Sequence, residues 1–241
     1  MAGSINTITA MRLPNGKEIA FVDWSDRPLF STADILSGAT DERIPLFNYL
    51  VGDNVTGTQN FTVKRTASER DTNISTPGAM ASTEEFLVYA IKPEVLALAT
   101  DADTANGTDA ETAEPRFFLD PVPAVYQLMN FMRFIYIDLR VSLKTMQQAP
   151  FGYFNVGFGP SFAGPRNGIG GSPTQEAVRA LGIPIHIGGQ EKFEVALVNA
   201  TGAALDIGIS DNDPLAPTPV QTNRVFQVRI LLDGLYKRPV A

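Results

Sequence analysis

The only histidine in the 241-residue chain, His186, is the first residue to consider as a catalytic group. A serine–histidine–carboxylate triad or an imidazole general base would have to use this side chain. Isoleucines alternate through residues 183–187, which predicts a strand with His186 on its polar face. A histidine in that position is a structural residue far more often than a base. The chain also lacks a Gly-x-Ser-x-Gly elbow and a phosphate-binding loop, so we expect no enzyme.

Acidic residues cluster in two segments that could supply oxygen ligands to a metal ion. The chain has no cysteine, so thiolate metal sites and disulfides are excluded, and a metal would have to be calcium or magnesium. In residues 101–109 the spacing does not fit an EF-hand, because Ala105 stands at position five and Asn106 at position six. Residues 211–213 form a similarly weak cluster. We predict no metal and no cofactor, with a weak calcium site left open at these two segments.

Paired carboxylates suggest a third kind of chemistry, the hydrolysis of glycosides. Glu84 with Glu85, or Glu111 with Glu114, would have to lie about 5–10 Å apart across a sugar-binding cleft. Trp24 is the only tryptophan, and no aromatic platform marks a carbohydrate groove. A carbohydrate- or receptor-binding module of the spike or lectin type stays open as an alternative without direct support.

The charge distribution argues against nucleic-acid binding by the chain itself, and the hydropathy argues against a membrane-spanning segment. Its formal net charge is −7, and no more than two basic residues are adjacent. A protein that binds phosphates usually needs a basic face, so we expect no sequence-specific nucleic-acid binding. No stretch approaches the ~20 apolar residues of a membrane helix, and the N-terminus lacks the features of a signal peptide. We therefore expect no transmembrane segment and synthesis in the cytoplasm.

Short β-strands separated by turns account for most of the pattern. Glycine and proline are spread throughout the chain, as in proteins with many turns. Two short helices are predicted, one from Asp120 to Met132 and one after Ser172. The strongest strand is 134–143, with residues 135, 137, 139, 141 and 143 on a buried face and the intervening residues on a wet or partner-facing face. The predicted strands are 18–23, 44–51, 61–65, 85–91, 134–143, 183–187, 192–199, 204–209 and 225–232.

A glycine-rich aromatic segment at 150–171 does not fit a regular helix. It interleaves seven glycines and three prolines with phenylalanine and tyrosine. So many rings are not left in water, and two interpretations remain open. The rings fold back onto the core of their own subunit, or they bury against a neighbouring subunit.

Three segments resemble the jelly-roll capsid proteins of icosahedral bacteriophages. The segment LPNGKEIAFVDWSDRPLFSTADI is similar to one that precedes the barrel in such proteins. The run DTNISTPGAMASTEEFLVYAI resembles an arm that leads into the first core strand, and FQVRILLDGLYKRPVA resembles a last strand with a short basic tail. The resemblance extends over a large part of the chain but contains no diagnostic motif.

This resemblance implies an all-β fold, an antiparallel β-sandwich with two facing sheets of about four strands each. Nine to eleven predicted strands suit a single jelly roll with long loops and an N-terminal arm. The alternative is a compact double jelly roll, which would need about sixteen strands. Residues 1–82 would form the arm and first strands, packing on the barrel and on neighbours, and residues 83–241 the jelly-roll sandwich, all as one structural domain.

The resemblance also implies a structural role, that of a capsid subunit in the virion that self-assembles into an icosahedral shell. Its partners would be copies of itself and other virion proteins, and contact with an internal membrane stays open. The first twenty residues contain only Arg12 and Lys17 as basic residues, so a basic arm for the genome is missing. Another protein, polyamines or an internal membrane would then neutralise the genome.

Aromatic and basic residues are the candidates for contacts between subunits, because interfaces are enriched in them. Truncation of the first ~30 residues should leave a folded protein that does not assemble. The predicted interface residues are Trp24, Phe30, Phe47, Tyr49, Phe151, Tyr153, Phe154, Phe158, Tyr236 and Arg238.

Overall fold

The computed structural model describes residues 10–12, 16, 18–20, 24–36, 39–57, 65–100, 134–154, 160–161, 168–169, 180–202 and 224–237. Most of these residues are in strands, with a single helical turn, α1 (Phe151–Phe154). The strands are β1 (Ala10–Arg12), β2 (Glu18–Ala20), β3 (Trp24–Asp26), β4 (Leu29–Leu36), β5 (Arg43–Leu46), β6 (Glu85–Thr100), β7 (Ile135–Val141), β8 (Lys144–Pro150), β9 (Pro160–Ser161), β10 (Gly168–Ile169), β11 (Ala180–Ile187), β12 (Phe193–Asn199) and β13 (Arg224–Lys237).

Two antiparallel sheets contain nine of these strands, and eight of the nine follow a jelly-roll order. The first sheet runs β4–β13–β6–β11, with β3 also paired to β13, and the second runs β5–β12–β7–β8. Along these eight strands the chain changes sheet at every connection except the β7–β8 hairpin, which is the connectivity of a single jelly roll. The all-β sandwich predicted from the sequence is confirmed. β4 and β5 belong to the two sheets although they precede residue 82.

The hydrophobic core lies between the two sheets. β7 and β12 pair along their full length, and the odd-numbered residues of each point inward. Val228, Ile230 and Leu232 of β13 close the core from the other sheet. These side chains are almost fully inaccessible, so each contributes about 1.5–3 kcal/mol by burial. The two sheets are therefore held together mainly by aliphatic packing.

Several predicted strands differ in extent from the observed ones. Pro93 does not end the strand predicted at 85–91, because β6 continues to Thr100. β11 pairs with β6 only over residues 86–90, so among the described strands Pro93 has a neighbour on one side, and its missing N–H leaves no ladder bond unmade. β4 and β8 were not predicted. Predicted strand 204–209, most of 61–65 and both predicted helices lie outside the described residues.

The structure also corrects the position of the proposed truncation. β3 and the start of β4 both lie before residue 30, and Leu29 is buried in the core. Removing about thirty residues would therefore cut into the first sheet, so the product should be less stable rather than merely unable to assemble.

Gly234 marks a close approach of two backbones in the first sheet. It is buried at a register shift between β13 and β6. A Cβ atom there would overlap the carbonyl oxygen of Leu87. Backbone atoms cannot move aside as a flexible side chain can, so only glycine fits this position.

We expect Gly234→Ala to lower the free energy of unfolding by about 2–3 kcal/mol, because the new methyl group forces the two strands apart. Gly182→Ala is the matched control, since a Cβ at Gly182 in β11 meets no atom within 4 Å. Urea unfolding of both variants measures the difference. Equal stability of the two variants would contradict the close approach.

Candidate subunit interface

Five of the predicted interface residues are buried inside the subunit. Phe47, Phe151, Phe154 and Tyr236 belong to the main core, and Tyr49 belongs to a small cluster with Val55 and Ala67. Two rings of the glycine-rich segment therefore follow the first alternative, in which the rings fold back onto the core of their own subunit. The helical turn α1 places Phe151 and Phe154 in that core. Side chains this inaccessible have little surface to offer a neighbouring subunit.

Three other predicted residues keep part of their surface. Trp24 packs beside Leu87 on the outside of the first sheet, and the Phe30 ring lies 5.1 Å from the Arg229 guanidinium, a cation–π contact. Tyr153 is exposed and makes an edge contact with the ring of Phe154 at 5.4 Å. Phe158 and Arg238 lie outside the described residues.

The free edge of β4 is closed by described residues of the segment between β5 and β6, called here the insertion (residues 47–57 and 65–84). The backbone N–H groups of Phe30, Thr32 and Asp34 point away from β13. They donate to Asn73 Oδ1 at 2.9 Å, to the Tyr49 hydroxyl at 3.1 Å and to the Thr56 carbonyl at 2.9 Å. With its donors satisfied, this edge cannot pair with another strand.

An arginine clamp fastens the insertion to β4. Arg65 donates from Nε to Asp34 Oδ2 at 2.8 Å and from Nη2 to Asp71 Oδ1 at 2.7 Å. Burial raises the pKa of Asp34 above its usual value, although Arg65 opposes the rise. Burial also acts to raise the pKa of Asp71, but hydrogen bonds from Arg65 and Ser68 outweigh it and leave that pKa lowered. The clamp thus holds two nearly buried carboxylates on one guanidinium.

Removing the clamp should destabilise the subunit in a pH-dependent way. We expect Arg65→Met to cost about 3 kcal/mol at pH 7, because both buried carboxylates lose their counter-charge. Asp34 has a folded pKa above its unfolded value, so its charge opposes folding at neutral pH and the opposition fades as pH falls through the folded pKa. Without Arg65, the charge of the buried Asp71 should also oppose folding at neutral pH, and this opposition should also fade as the pH falls. The destabilisation should therefore shrink between pH 7 and pH 4.

The measurement is urea unfolding of the variant and the parent chain at several pH values. Arg70→Met is the matched control, because Arg70 is exposed in the same insertion. A loss for Arg65→Met that is the same at every pH would show that packing, not charge, fastens the insertion.

The opposite side of the sandwich carries most of the described large hydrophobic residues that are exposed. Here β8 and β11 are the outer strands of the two sheets. Met146 lies at a register shift of β8 and Ile183 at one of β11, and bulges of this kind redirect side chains. Ile183 is 67% exposed. Among the described large hydrophobic residues with high exposure, all but Val51 lie on or beside β7, β8 and β11, namely Phe134, Leu143, Met146, Tyr153 and Ile183.

The β7–β8 turn presents the most exposed of these side chains. Ser142 and Leu143 have φ angles of 49° and 68°, and positive φ at both central residues is typical of a type I′ turn. Such turns prefer asparagine and glycine, and leucine in this region is strained by about 1 kcal/mol. Leu143 is nevertheless 97% exposed. The sequence prediction that placed Leu143 on a buried strand face is wrong, because β7 ends at Val141.

Hydrogen bonds fix this turn against its neighbours. Ser142 N donates to the Lys192 carbonyl at 2.8 Å, and Ser142 Oγ donates to Glu191 Oε1 at 2.9 Å. The other carboxylate oxygen of Glu191 accepts from Gly188 N at 2.8 Å, and Glu191 O accepts from Met80 N at 3.2 Å. The β7–β8 turn, the β11–β12 turn and the insertion are therefore joined, and the backbone under Leu143 is held in place.

Leu143 should destabilise the isolated subunit, because its backbone is strained and its exposed side chain does not compensate for the strain. We expect Leu143→Gly to raise the free energy of unfolding by about 0.5–1 kcal/mol, because glycine adopts positive φ without strain and the exposed leucine loses no packing. Gly202→Leu is the reverse control, since Gly202 has φ +62° and open space around it, and it should lose a similar amount. Thermal unfolding of unassembled subunits measures both. A less stable Leu143→Gly variant would mean that the leucine has a partner within its own subunit.

His186 joins three strands of the first sheet through a carboxylate. Its Nε2 lies 2.7 Å from Glu85 Oε2, and Lys237 Nζ donates to Glu85 Oε1 at 2.8 Å. These residues belong to β11, β6 and β13, so the cluster links strands across the sheet. The described residues contain no group of three or more metal-ligating side chains. The acidic segments 101–109 and 211–213, with Glu111 and Glu114, lie outside the described residues.

Fold and surface together define a jelly-roll β-sandwich with one closed and one apolar side. Within the described part of the chain, no helix is long and apolar enough to cross a membrane. Comparisons with protein-family models, curated proteins and solved structures give no match. The function must therefore be argued from the surface of this chain, since a jelly roll serves many functions.

Proposed function

We propose that the chain is a structural virion protein of a bacteriophage, a capsid subunit that self-assembles into an icosahedral shell. The fold supports this proposal without deciding it, because jelly rolls occur in capsids, lectins and cupins. The segments that resemble phage capsid proteins favour the first of these. Its partners would be copies of itself and other virion proteins, with the genome neutralised by another component because the chain carries a net charge of −7.

The observation that carries the proposal is the difference between the two sides of the sandwich. The β4 edge is closed by the insertion and its arginine clamp. On the opposite side, the register shifts in β8 and β11 leave Met146 and Ile183 exposed. Exposed apolar side chains on a rigid scaffold are what repeated contacts between subunits require. The carbohydrate- or receptor-binding alternative has no comparable feature among the described residues.

The direct test is the mass and shape of the purified protein. Electron microscopy and sedimentation velocity should show closed particles of megadalton mass assembled from 26.0 kDa subunits. A monomer or a trimer at all concentrations would contradict the proposal and favour a binding module.

A single substitution then tests whether the β8–β11 side forms the contacts between subunits in the particle. We expect Ile183→Lys to reduce the assembled fraction about tenfold, because a charge in a desolvated contact is unfavourable. Ile183 is mostly exposed in the subunit, so circular dichroism and the unfolding midpoint should stay unchanged. Thr40→Lys introduces the same side chain at an exposed position near the other side of the sandwich and should assemble normally. If Ile183→Lys assembles normally, the β8–β11 side does not form the contact between subunits.

A further inference from the structure

The β7–β8 turn combines an apolar side chain with basic neighbours. We call the exposed side chains of Leu143, Lys144 and Lys192 the tip. Lys192 belongs to the tip because its carbonyl accepts the hydrogen bond of Ser142 N. The nearby carboxylate of Glu191 is occupied by Ser142 Oγ and Gly188 N. In a chain whose net charge is −7, the tip is a locally basic surface around an exposed leucine.

The insertion presents a surface that combines an apolar side chain with acidic neighbours. We call the exposed side chains of Val51, Asp53 and Glu69 the patch. Val51 is 51% exposed and is the one exposed large hydrophobic residue of the described chain that lies away from β7, β8 and β11. The turn under it is held by two hydrogen bonds, from Gly52 N to Ala67 O at 2.9 Å and from Ala67 N to Asp53 O at 2.7 Å. The patch is therefore apolar and acidic, and its turn is fixed in position. Of the described basic residues in this part of the insertion, Arg70 is exposed and Arg65 is bound to Asp34 and Asp71.

We infer that the tip of one copy docks on the patch of the next copy. This inference rests on the proposed function and names the surfaces of one of its contacts. Leucine would meet valine, and Lys144 and Lys192 would face Asp53 and Glu69, so the apolar and charged side chains of the two surfaces are complementary. Both surfaces are braced by backbone hydrogen bonds in the free subunit, so little order has to be gained on docking.

The position of the two surfaces requires a second copy. The patch belongs to the insertion that closes the β4 edge, whereas the tip projects beside β8 at the far edge of the other sheet. β5 and β8 are three strand spacings apart, roughly 14 Å, and both surfaces are fixed to the sandwich. A contact between two different surfaces repeats from copy to copy and closes into a ring when the rotation allows it, as a closed shell requires.

Charge reversal tests this contact on the full-length protein. The tip variant carries Lys144→Glu and Lys192→Glu, and the patch variant carries Asp53→Lys and Glu69→Lys. Each should raise the concentration needed for assembly by about tenfold, because like charges then face each other. The chain that carries all four substitutions should return to about the value of the parent chain, since attraction is restored with the signs exchanged. Assembly is measured by sedimentation at constant ionic strength.

Two controls separate the contact from effects on folding. Asp53 Oδ2 accepts a hydrogen bond from Leu50 N, so the unfolding midpoint of the patch variant is measured first. Glu69→Lys alone leaves that bond intact and replaces the patch variant if the turn is lost. Thr40→Glu, at an exposed position outside both surfaces, should assemble like the parent chain.

The outcomes distinguish this inference from the proposed function. A parent chain that forms no particles refutes the proposed function and the inference with it. Particles from the parent chain and equally from the tip variant leave the shell in place and overturn the tip–patch contact. Failure of the fourfold variant to recover overturns direct pairing as well. If the tip variant loses only binding to vesicles that contain phosphatidylserine, the tip contacts a membrane and not the patch.

Discussion

The backbone N–H groups on the outer edge of β4 need hydrogen-bond acceptors. The way in which the subunit supplies these acceptors determines which side of the sandwich stays accessible. The insertion supplies a side-chain amide, a tyrosine hydroxyl and a backbone carbonyl, so this edge is closed within the subunit. Arg65 keeps the insertion there by binding two carboxylates at once. Because one side of the sandwich is closed in this way, the proposed contacts between subunits would use the other side and the exposed surface of the insertion.

The same principle explains the opposite edge. β8 and β11 are outer strands, and each contains a register shift and a proline, features that discourage uncontrolled pairing with another strand. The shifts also turn Met146 and Ile183 outward. A neighbour would therefore be recognised by side chains rather than by strand addition, which makes the contact specific and reversible. Leu143, held in a strained turn, fits this interpretation because its conformation is unfavourable for the isolated subunit.

Much of the fold could be predicted where hydrophobic alternation is strong. β7 and β12 have buried, mostly apolar residues at every second position, as β13 has from Val228 to Tyr236, and all three strands were predicted. β4 was missed because Ser31, Thr32 and Asp34 are polar, yet the insertion buries them. Asp138 was assigned to the open face of β7 and does point away from the core, but the Arg43 guanidinium binds it at 2.8 Å and its side chain is inaccessible. In each case a distant segment, not the local pattern, set the burial.

The sequence alone determined the class of fold and which kinds of cysteine and histidine chemistry to expect. Strand periodicity depends only on neighbouring residues, and the lack of cysteine and the single histidine follow directly from composition. Tertiary structure decided which aromatic rings are internal, which edge is closed and which apolar side chains remain exposed. Phe151 and Tyr153 illustrate this, since one lies in the core and the other on the surface of the same helical turn. The physical reason is that accessibility depends on contacts between residues far apart in the chain, which local patterns do not contain.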